Sequence, residues 1–243
     1  MKILKSRIFR EFPEVKFGFS TKEGLDRPPP FFFNMSLSVG DEPQIVEENR
    51  TAFLESLDIP SDKLAFQEQI HSDVIRYVEK PGFVGESDAL ITDVKNLAIG
   101  VFSADCTPIF LYDPERSVAA AVHSGWKGTE KKILEKTIAR LKDDFGVNSA
   151  ELRVFIGPTI SRKRYPVDAD VAKKFDEKYY YYDEIKYHLD VKQINYDLLI
   201  ANGVNEKNVD VSPLCTYENN FLHSYRRAGK VSGRALGVIM ISE

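Results

Sequence analysis

Cysteine and histidine are both scarce in this chain. Its two cysteines, Cys106 and Cys215, cannot form a disulfide framework, and such sparing use suits a reducing compartment. Its four histidines, His71, His123, His188 and His223, limit what imidazole-based metal sites it can build. Basic charge is not in excess: 33 Lys and Arg against 37 Asp and Glu leave a net charge of −4, which excludes the broad basic face of a nucleic-acid binder. No run approaches the roughly 18 apolar residues of a membrane span. The opening string MKILKSRIFREFPEV mixes charge into its apolar positions and lacks the apolar segment and cleavage site of a signal peptide. A soluble cytoplasmic protein is expected, with no nucleic-acid or membrane partner.

What remains is ordinary globular composition, 43% hydrophobic and 29% charged over 243 residues. That length supports one large domain spanning residues 1–243 with a substantial core. There is no repeat, low-complexity tail or linker. Residues 3–9 and 16–20 read as strands, followed by a loop from Thr21 to Asn34 that carries Pro28–Pro30 and Phe31–Phe33. A helix then starts with Asp41 as cap, Pro43 in the first turn and Gln44 three residues after the cap. Val46, Phe53, Leu54 and Leu57 form its apolar stripe, and Asn49 and Arg50 fall on or beside it.

From Leu64 to Val122 the pattern is mostly strands: AFQEQI, VIRYV, ALIT, LAIGVFS, PIFLY and VAAAV. The last three are almost wholly apolar, as strands buried on both faces are. Ile133, Leu134, Thr137, Ile138, Leu141 and Phe145 predict a helix over 129–145 that stops at Gly146. ELRVFIG and ALGVIMI read as strands, with helices near 168–179 and 192–203. Several inter-strand connections are too short for helical crossovers, so the sheet is not purely parallel. The expected fold class is α/β in the mixed, α+β sense.

His71, Cys106 and His123 each lie at the end of an apolar run, where side chains from separate strands can converge. They are zinc-ligand types, and three ligands with an open fourth position are the pattern of a catalytic zinc. Their spacing has none of the tightness of a zinc finger, and a buried free cysteine with two hydrogen-bonded histidines fits the same residues. So does a thiol nucleophile, with His123 as base to Cys106 and Asp88 or Asp105 orienting the imidazole.

A longer series of strings resembles one family. It comprises GFSTKEG (18–24), NMSLSVGD (34–41), the Val46…Asn49-Arg50 element, QIHS (69–72), DALIT (88–92), ADCTPI (104–109), AAVHSGWKGT (120–129), IGPTI (156–160), CTY (215–217), SYRR (224–227) and GR (233–234). Together they resemble the bacterial laccase-domain family, also called the polyphenol oxidase or purine nucleoside phosphorylase family. The resemblance implies a central mixed β-structure flanked by helices and one Zn2+ per chain held by His71, Cys106 and His123. It further implies phosphorolysis of adenosine, inosine, guanosine and methylthioadenosine, with nucleoside and phosphate as partners, and hydrolytic deamination of adenosine.

For these reactions Asp88 or Asp105 is the candidate proton carrier, and Arg50, Lys127, Arg226 and Arg227 are the candidate phosphate ligands. A copper-dependent phenol oxidase is the first alternative. A blue copper alone takes two histidines and a cysteine, but a full laccase copper set needs far more imidazole than four histidines supply. A cysteine hydrolase using Cys106 and His123, and a non-catalytic metal-stabilised binding protein, are the others. The chain departs from the family pattern at Thr159, where Cys is common, at Pro166, where Glu is common, and at Lys127, where many relatives carry Arg. The Pro28–Phe33 segment reads as an apolar flap over a purine, as packing against the body or as a partner contact, Trp126 as core or pocket wall, and His188 and His223 as lying outside the metal set.

Overall fold

A computed structural model describes residues 1–243. Two six-stranded mixed sheets form its centre. The first runs in the order Ile3–Leu4, Val15–Ser20, Ala235–Ile241, Ala98–Ser103, Leu64–Glu68, Gly82–Glu86. The second runs Val209–Val211, Arg153–Ile156, Thr107–Asp113, Val118–Ser124, Ala89–Thr92, Ile75–Tyr77. Each contains parallel and antiparallel neighbours: Leu64–Glu68 is parallel to both its partners, whereas Val118–Ser124 is antiparallel to both of its own. A small third sheet joins Pro166–Val167, Tyr187–Leu189 and Tyr180–Tyr182.

Side-chain alternation sorts the core into layers. Phe17, Phe19, Ile99, Val101 and Ile239 of the first sheet meet Leu90, Phe110, Tyr112, Ala119, Ala121 and Phe155 of the second in one shared cluster. The intervening residues of the second sheet, among them Ile109, Leu111, Ala120 and Val122, pack on Ile133, Leu134, Ile138 and Leu141 of the helix Ile133–Phe145. The outer face of the first sheet, through Ala98, Leu236, Val238 and Met240, is covered by Phe53 and Leu54 of the helix Pro43–Glu55 and by Leu57 just beyond it. The wholly apolar strands are therefore buried on both faces by a sheet on one side and a helix on the other. Phe110 lies edge-on to Phe17, with ring centroids 5.0 Å apart. It presses so closely on Gly237 that a Cβ there would come within 2.3 Å of its ring.

Several elements differ from their sequence-based expectation. Only Ile3–Leu4 of residues 3–9 is strand, and Ile8–Glu11 forms a 3-10 turn. That change of course is fixed by the Ser6 hydroxyl and the Arg7 N–H, which both donate to Asp210. Asp41 does not cap the first long helix. Glu42 holds that position with no side-chain bond, because the Asp41 carboxylate accepts from the Glu42 N–H and from Asn34. The helix expected over 129–145 is two: Trp126–Glu130 and Ile133–Phe145, separated by Lys132 at φ 61°. The helix expected over 168–179 shrinks to Ala169–Ala172 and a 3-10 turn. The Tyr180–Tyr182 segment is a strand. Gly82–Glu86 and Val209–Val211 are strands that the hydrophobic pattern does not announce. No helix is long and apolar enough to cross a membrane.

Candidate metal centre

His71, Cys106 and His123 meet where strands of the two sheets end. His71 lies in the bend after Leu64–Glu68, Cys106 in the link from the first sheet to the second, and His123 next to last in Val118–Ser124. Their ligand atoms all lie within 4.8 Å of one another, with the His71 Nε2 3.8 Å from the Cys106 Sγ. Ligands bound at about 2.0–2.3 Å to a common tetrahedral zinc sit roughly 3.3–3.7 Å apart, so a small inward movement of the three closes the set. His123 is buried, Cys106 half-buried and His71 exposed, which leaves one side of the group open to solvent.

The turns that present these side chains are strained. His71 has φ 57° and Asp105, next to Cys106, φ 96°. A non-glycine residue in that region costs on the order of 1–3 kcal/mol and persists where its surroundings enforce it. Gly125 has a different constraint. A Cβ there would lie 2.9 Å from the Cys106 sulfur and 3.1 Å from the His71 ring, so only glycine lets the backbone come so close to the group.

Asp88 organises the centre. Its carboxylate is fully buried and accepts from the backbone N–H groups of Ile70, His71 and Ser72 and from the Ser72 hydroxyl. It also accepts from the His123 Nδ1 at 2.8 Å, which turns Nε2 towards Cys106 and His71. A carboxylate holding the far nitrogen of a metal-ligating histidine is a recurrent device for fixing the tautomer and the ring. Burial alone would raise the Asp88 pKa, but the bonds from His123 and Ser72 outweigh it and hold the group below the usual carboxylate range. Burial likewise opposes charge on Cys106 and His123. Their mutual attraction wins, pushing the thiol down and the imidazole up. The donor set is thus a thiolate and an imidazolium whose proton a metal ion would displace.

Both expected proton carriers already accept hydrogen bonds from the protein. Asp88 is spent on the five bonds just described. Asp105 accepts from the Thr216 hydroxyl and from the Arg226 N–H, both at 2.6 Å. Its own carbonyl accepts from the Thr159 hydroxyl at 2.6 Å. Asp105 therefore ties three distant strings to the Cys106 turn, and Thr159 is a hydrogen-bonding post in that joint. Pro166 opens a short strand paired with His188.

The expected phosphate ligands scatter. Arg227 donates to the carbonyls of Thr216, Tyr217 and Leu222, so it clamps its own loop. Arg50 donates to the Met35 carbonyl and to Glu47, with its guanidinium over Phe66 and Phe102. It lines a cavity of about 240 Å³ beside the helix Pro43–Glu55, to which none of the three ligands contributes. Lys127 is exposed, 5.6 Å from the ring of Trp126, which packs against the Leu189, Val191 and Ile194 cluster. Arg226 is exposed over the ring of Tyr165 at 5.2 Å.

Two residues near the centre carried no role in the sequence reading. Tyr165 has its pKa raised, first by burial and then by the Cys106 thiolate, so it keeps its proton. Arg234 lies over Tyr225 at 5.5 Å, within electrostatic reach of Cys106. Of the signals in the sequence only the GR string pointed to it. His188 pairs with Asp183 and stacks on Tyr181, and His223 lies 3.2 Å from the Phe33 carbonyl, so neither joins the centre. Phe32 lies under the Lys22 ammonium and Phe33 is fully buried against Gly24, so the aromatic end of that segment packs on the body while Pro28–Pro30 stay exposed.

Comparison with known proteins places this geometry. The family described as multi-copper polyphenol oxidoreductase laccase matches residues 16–242. A purine nucleoside phosphorylase of Clostridium acetobutylicum is 34% identical over 243 residues, 96% of this chain and 95% of that protein. One from Corynebacterium glutamicum is 32% identical over 232 residues, 92% and 93% of the two chains. Among solved structures, the Bacillus licheniformis hypothetical protein YfiH superposes with a TM-score of 0.91 at 32% identity, over 96% of this chain and 94% of its own. YlmD from Geobacillus stearothermophilus gives 0.90 at 29% identity, over 96% and 93%. Those matches span the fold and the strings that build the His–Cys–His centre, and the chain belongs to the multi-copper polyphenol oxidoreductase laccase family.

Proposed function

We propose that the chain is a zinc-dependent purine nucleoside enzyme. It would cleave adenosine, inosine, guanosine and methylthioadenosine with phosphate and deaminate adenosine with water. One observation carries the reading: three convergent ligands, one of them exposed, in a chain whose close relatives bear the name purine nucleoside phosphorylase. The residues fit zinc, with a thiolate and two imidazoles as borderline donors and a buried carboxylate behind one imidazole. Bound there, zinc would supply Lewis acidity and activate water for attack at the purine.

The protein groups have separate tasks. Asp88 fixes the His123 tautomer and the His71 turn, so both imidazoles hold their direction. Gly125 lets the backbone close over the sulfur. Tyr165, kept protonated beside Cys106, offers a phenolic donor to a base or sugar oxygen. With five donors on it Asp88 serves as support, and Asp105, whose two oxygens accept one bond each, is left as the carrier of the proton to the leaving amine.

Copper phenol oxidation fits less well. His188 and His223 are engaged elsewhere, so no imidazole remains for a multicopper cluster. A second reading does have support, since Cys106, His123 and Asp88 also form a thiolate–imidazole–carboxylate series. A hydrolase, however, has no use for His71 on the other side of the sulfur.

The test is to incubate protein purified without added metal with adenosine and with inosine, each with and without phosphate, and to measure bound metal. One zinc per chain, ribose 1-phosphate only with phosphate, and inosine from adenosine are expected. Stoichiometric copper with phenol oxidation would overturn the reading. So would a metal-free protein that captures substrate covalently on Cys106.

A further inference from the structure

Around buried His223 several basic side chains gather, and one of them, Arg234, also lies within electrostatic reach of Cys106 and Asp105. Lys22, Arg227 and Arg234 take part in no ion pair with Asp or Glu. Buried His223 stands among them. The chain connects them closely. The Lys22 N–H donates to the Phe221 carbonyl at 2.8 Å, and the Lys22 carbonyl accepts from Phe33. The Phe33 carbonyl is in turn the partner of the His223 Nε2. Gly233 lies so near the His223 ring that a Cβ there would come within 2.6 Å of it, and Arg234 is the next residue.

The guanidinium of Arg234 is only partly used. Nη1 donates to the carbonyls of Ser232 and Gly233 at 2.6 and 3.2 Å, whereas Nε and Nη2 meet no protein acceptor. Its planar fork keeps one edge for a bidentate anion. Its position ties it to the metal centre. It lies over Tyr225, and the next residue, Arg226, donates its N–H to Asp105, the neighbour of Cys106. Lys22 has its ammonium 3.7 Å from the Phe32 ring and no hydrogen bond to an acid.

Electrostatics agrees with the geometry. Burial lowers the pKa of Arg234, of Lys22 and of His223, the last to about 4. Arg227 adds to the effect on Lys22, and Lys22, Arg234 and Arg227 add to that on His223. His223 is therefore neutral near pH 7, Cys106 and Asp105 favour the charge on Arg234 against its burial, and the desolvated Lys22 ammonium, with Arg227 nearby, gains from an anion beside it.

We infer that Arg234 and Lys22 form the phosphate-binding corner of the site, with Arg227 holding the loop beneath them. This rests on the proposed nucleoside chemistry and replaces Arg227 as its phosphate ligand. In phosphorolysis a phosphate oxygen bonds to C1′ as the C1′–N bond breaks. The electron pair leaves with the base, and the proton of the attacking phosphate hydroxyl ends on the base nitrogen. Arg234 would orient that phosphate beside the metal centre.

The test compares wild type with Arg234→Gln, Arg234→Lys and Lys22→Gln, each carrying its metal. Inorganic phosphate binding is read directly by 31P line broadening without nucleoside, and the phosphate dependence of inosine phosphorolysis is read alongside. Arg234→Gln should raise the KM for phosphate at least tenfold relative to the KM for inosine and abolish the line broadening. Arg234→Lys should recover part of both, and Lys22→Gln should show a smaller change of the same kind. Wild-type phosphate binding and KM in both Gln variants would overturn the inference. So would wild-type protein that holds adenosine 5′-monophosphate through Arg234 but not inorganic phosphate. Arg234-dependent phosphate binding without any ribose 1-phosphate would support the anion corner while refuting the phosphorylase reading.

Discussion

At the scale of single residues, Asp88 shows why types alone do not give roles. An acid near a suspected metal site reads equally well as proton carrier or as support. What decides is the number of donors it meets, and those come from residues 70–72 and from His123, brought together only by the fold. Asp88→Asn would place an amide N–H2 against backbone donors and weaken the hold on His123. We expect metal affinity to fall about 10–100-fold and stability by about 1–3 kcal/mol. Competition with a chelator and denaturant unfolding read the two effects, and unchanged metal affinity would remove the orienting role. The arginines teach the same lesson, because Arg227 and Arg234 are alike in sequence and differ in whether carbonyls have consumed their donors. His223 gives a pH effect. Its folded pKa of about 4 lies below the unfolded value of about 6.5, so the unfolded chain binds the proton first. Stability is fully present above pH 6.5 and declines as pH falls towards 4, by about 2 kcal/mol at pH 5. Unfolding at pH 7 and pH 5 should show that loss in wild type and not in His223→Asn, and equal losses in both would contradict it.

At the scale of elements, strands were legible wherever burial on both faces made them wholly apolar, and the helix Ile133–Phe145 wherever its stripe repeated. Short edge strands such as Gly82–Glu86 were not, because pairing rather than pattern makes them. The break at Lys132 was also invisible. Neither Gly nor Pro marks it, and the apolar spacing runs straight through to Phe145. The break lets Trp126–Glu130 follow the turn after His123 while the next helix lies along the sheet. A lysine at φ 61° costs about 1–2 kcal/mol relative to a relaxed conformation. Glycine removes that cost but adds about 0.5–1 kcal/mol of unfolded-chain entropy. Lys132→Gly should therefore stabilise the protein by about 0.5–1 kcal/mol, seen as a higher denaturation midpoint at unchanged slope. A lower midpoint would mean that the lysine side chain contributes something the backbone does not reveal.

At the scale of the whole molecule, the three ligands have a mechanical consequence as well as a chemical one. His71 follows a strand of the first sheet, His123 ends a strand of the second, and Cys106 sits in the link between them. A metal bound there ties together both layers of the shared core at the strand ends where the strained turns lie. In the unfolded chain the ligands are far apart, so binding favours the folded state by RT ln(1 + [L]/Kd), about 4 kcal/mol when free metal is a thousandfold above Kd. Stripping the metal with a chelator should therefore lower the melting temperature by several degrees, and returning zinc should restore it. Cys106→Ala separates this from a general effect of chelator. With a ligand lost, its melting temperature should match that of stripped wild type and should not respond to zinc. A Cys106→Ala protein that gained as much from zinc as wild type would show that the cation acts elsewhere on the surface, and the His–Cys–His group would lose its claim to be the metal centre.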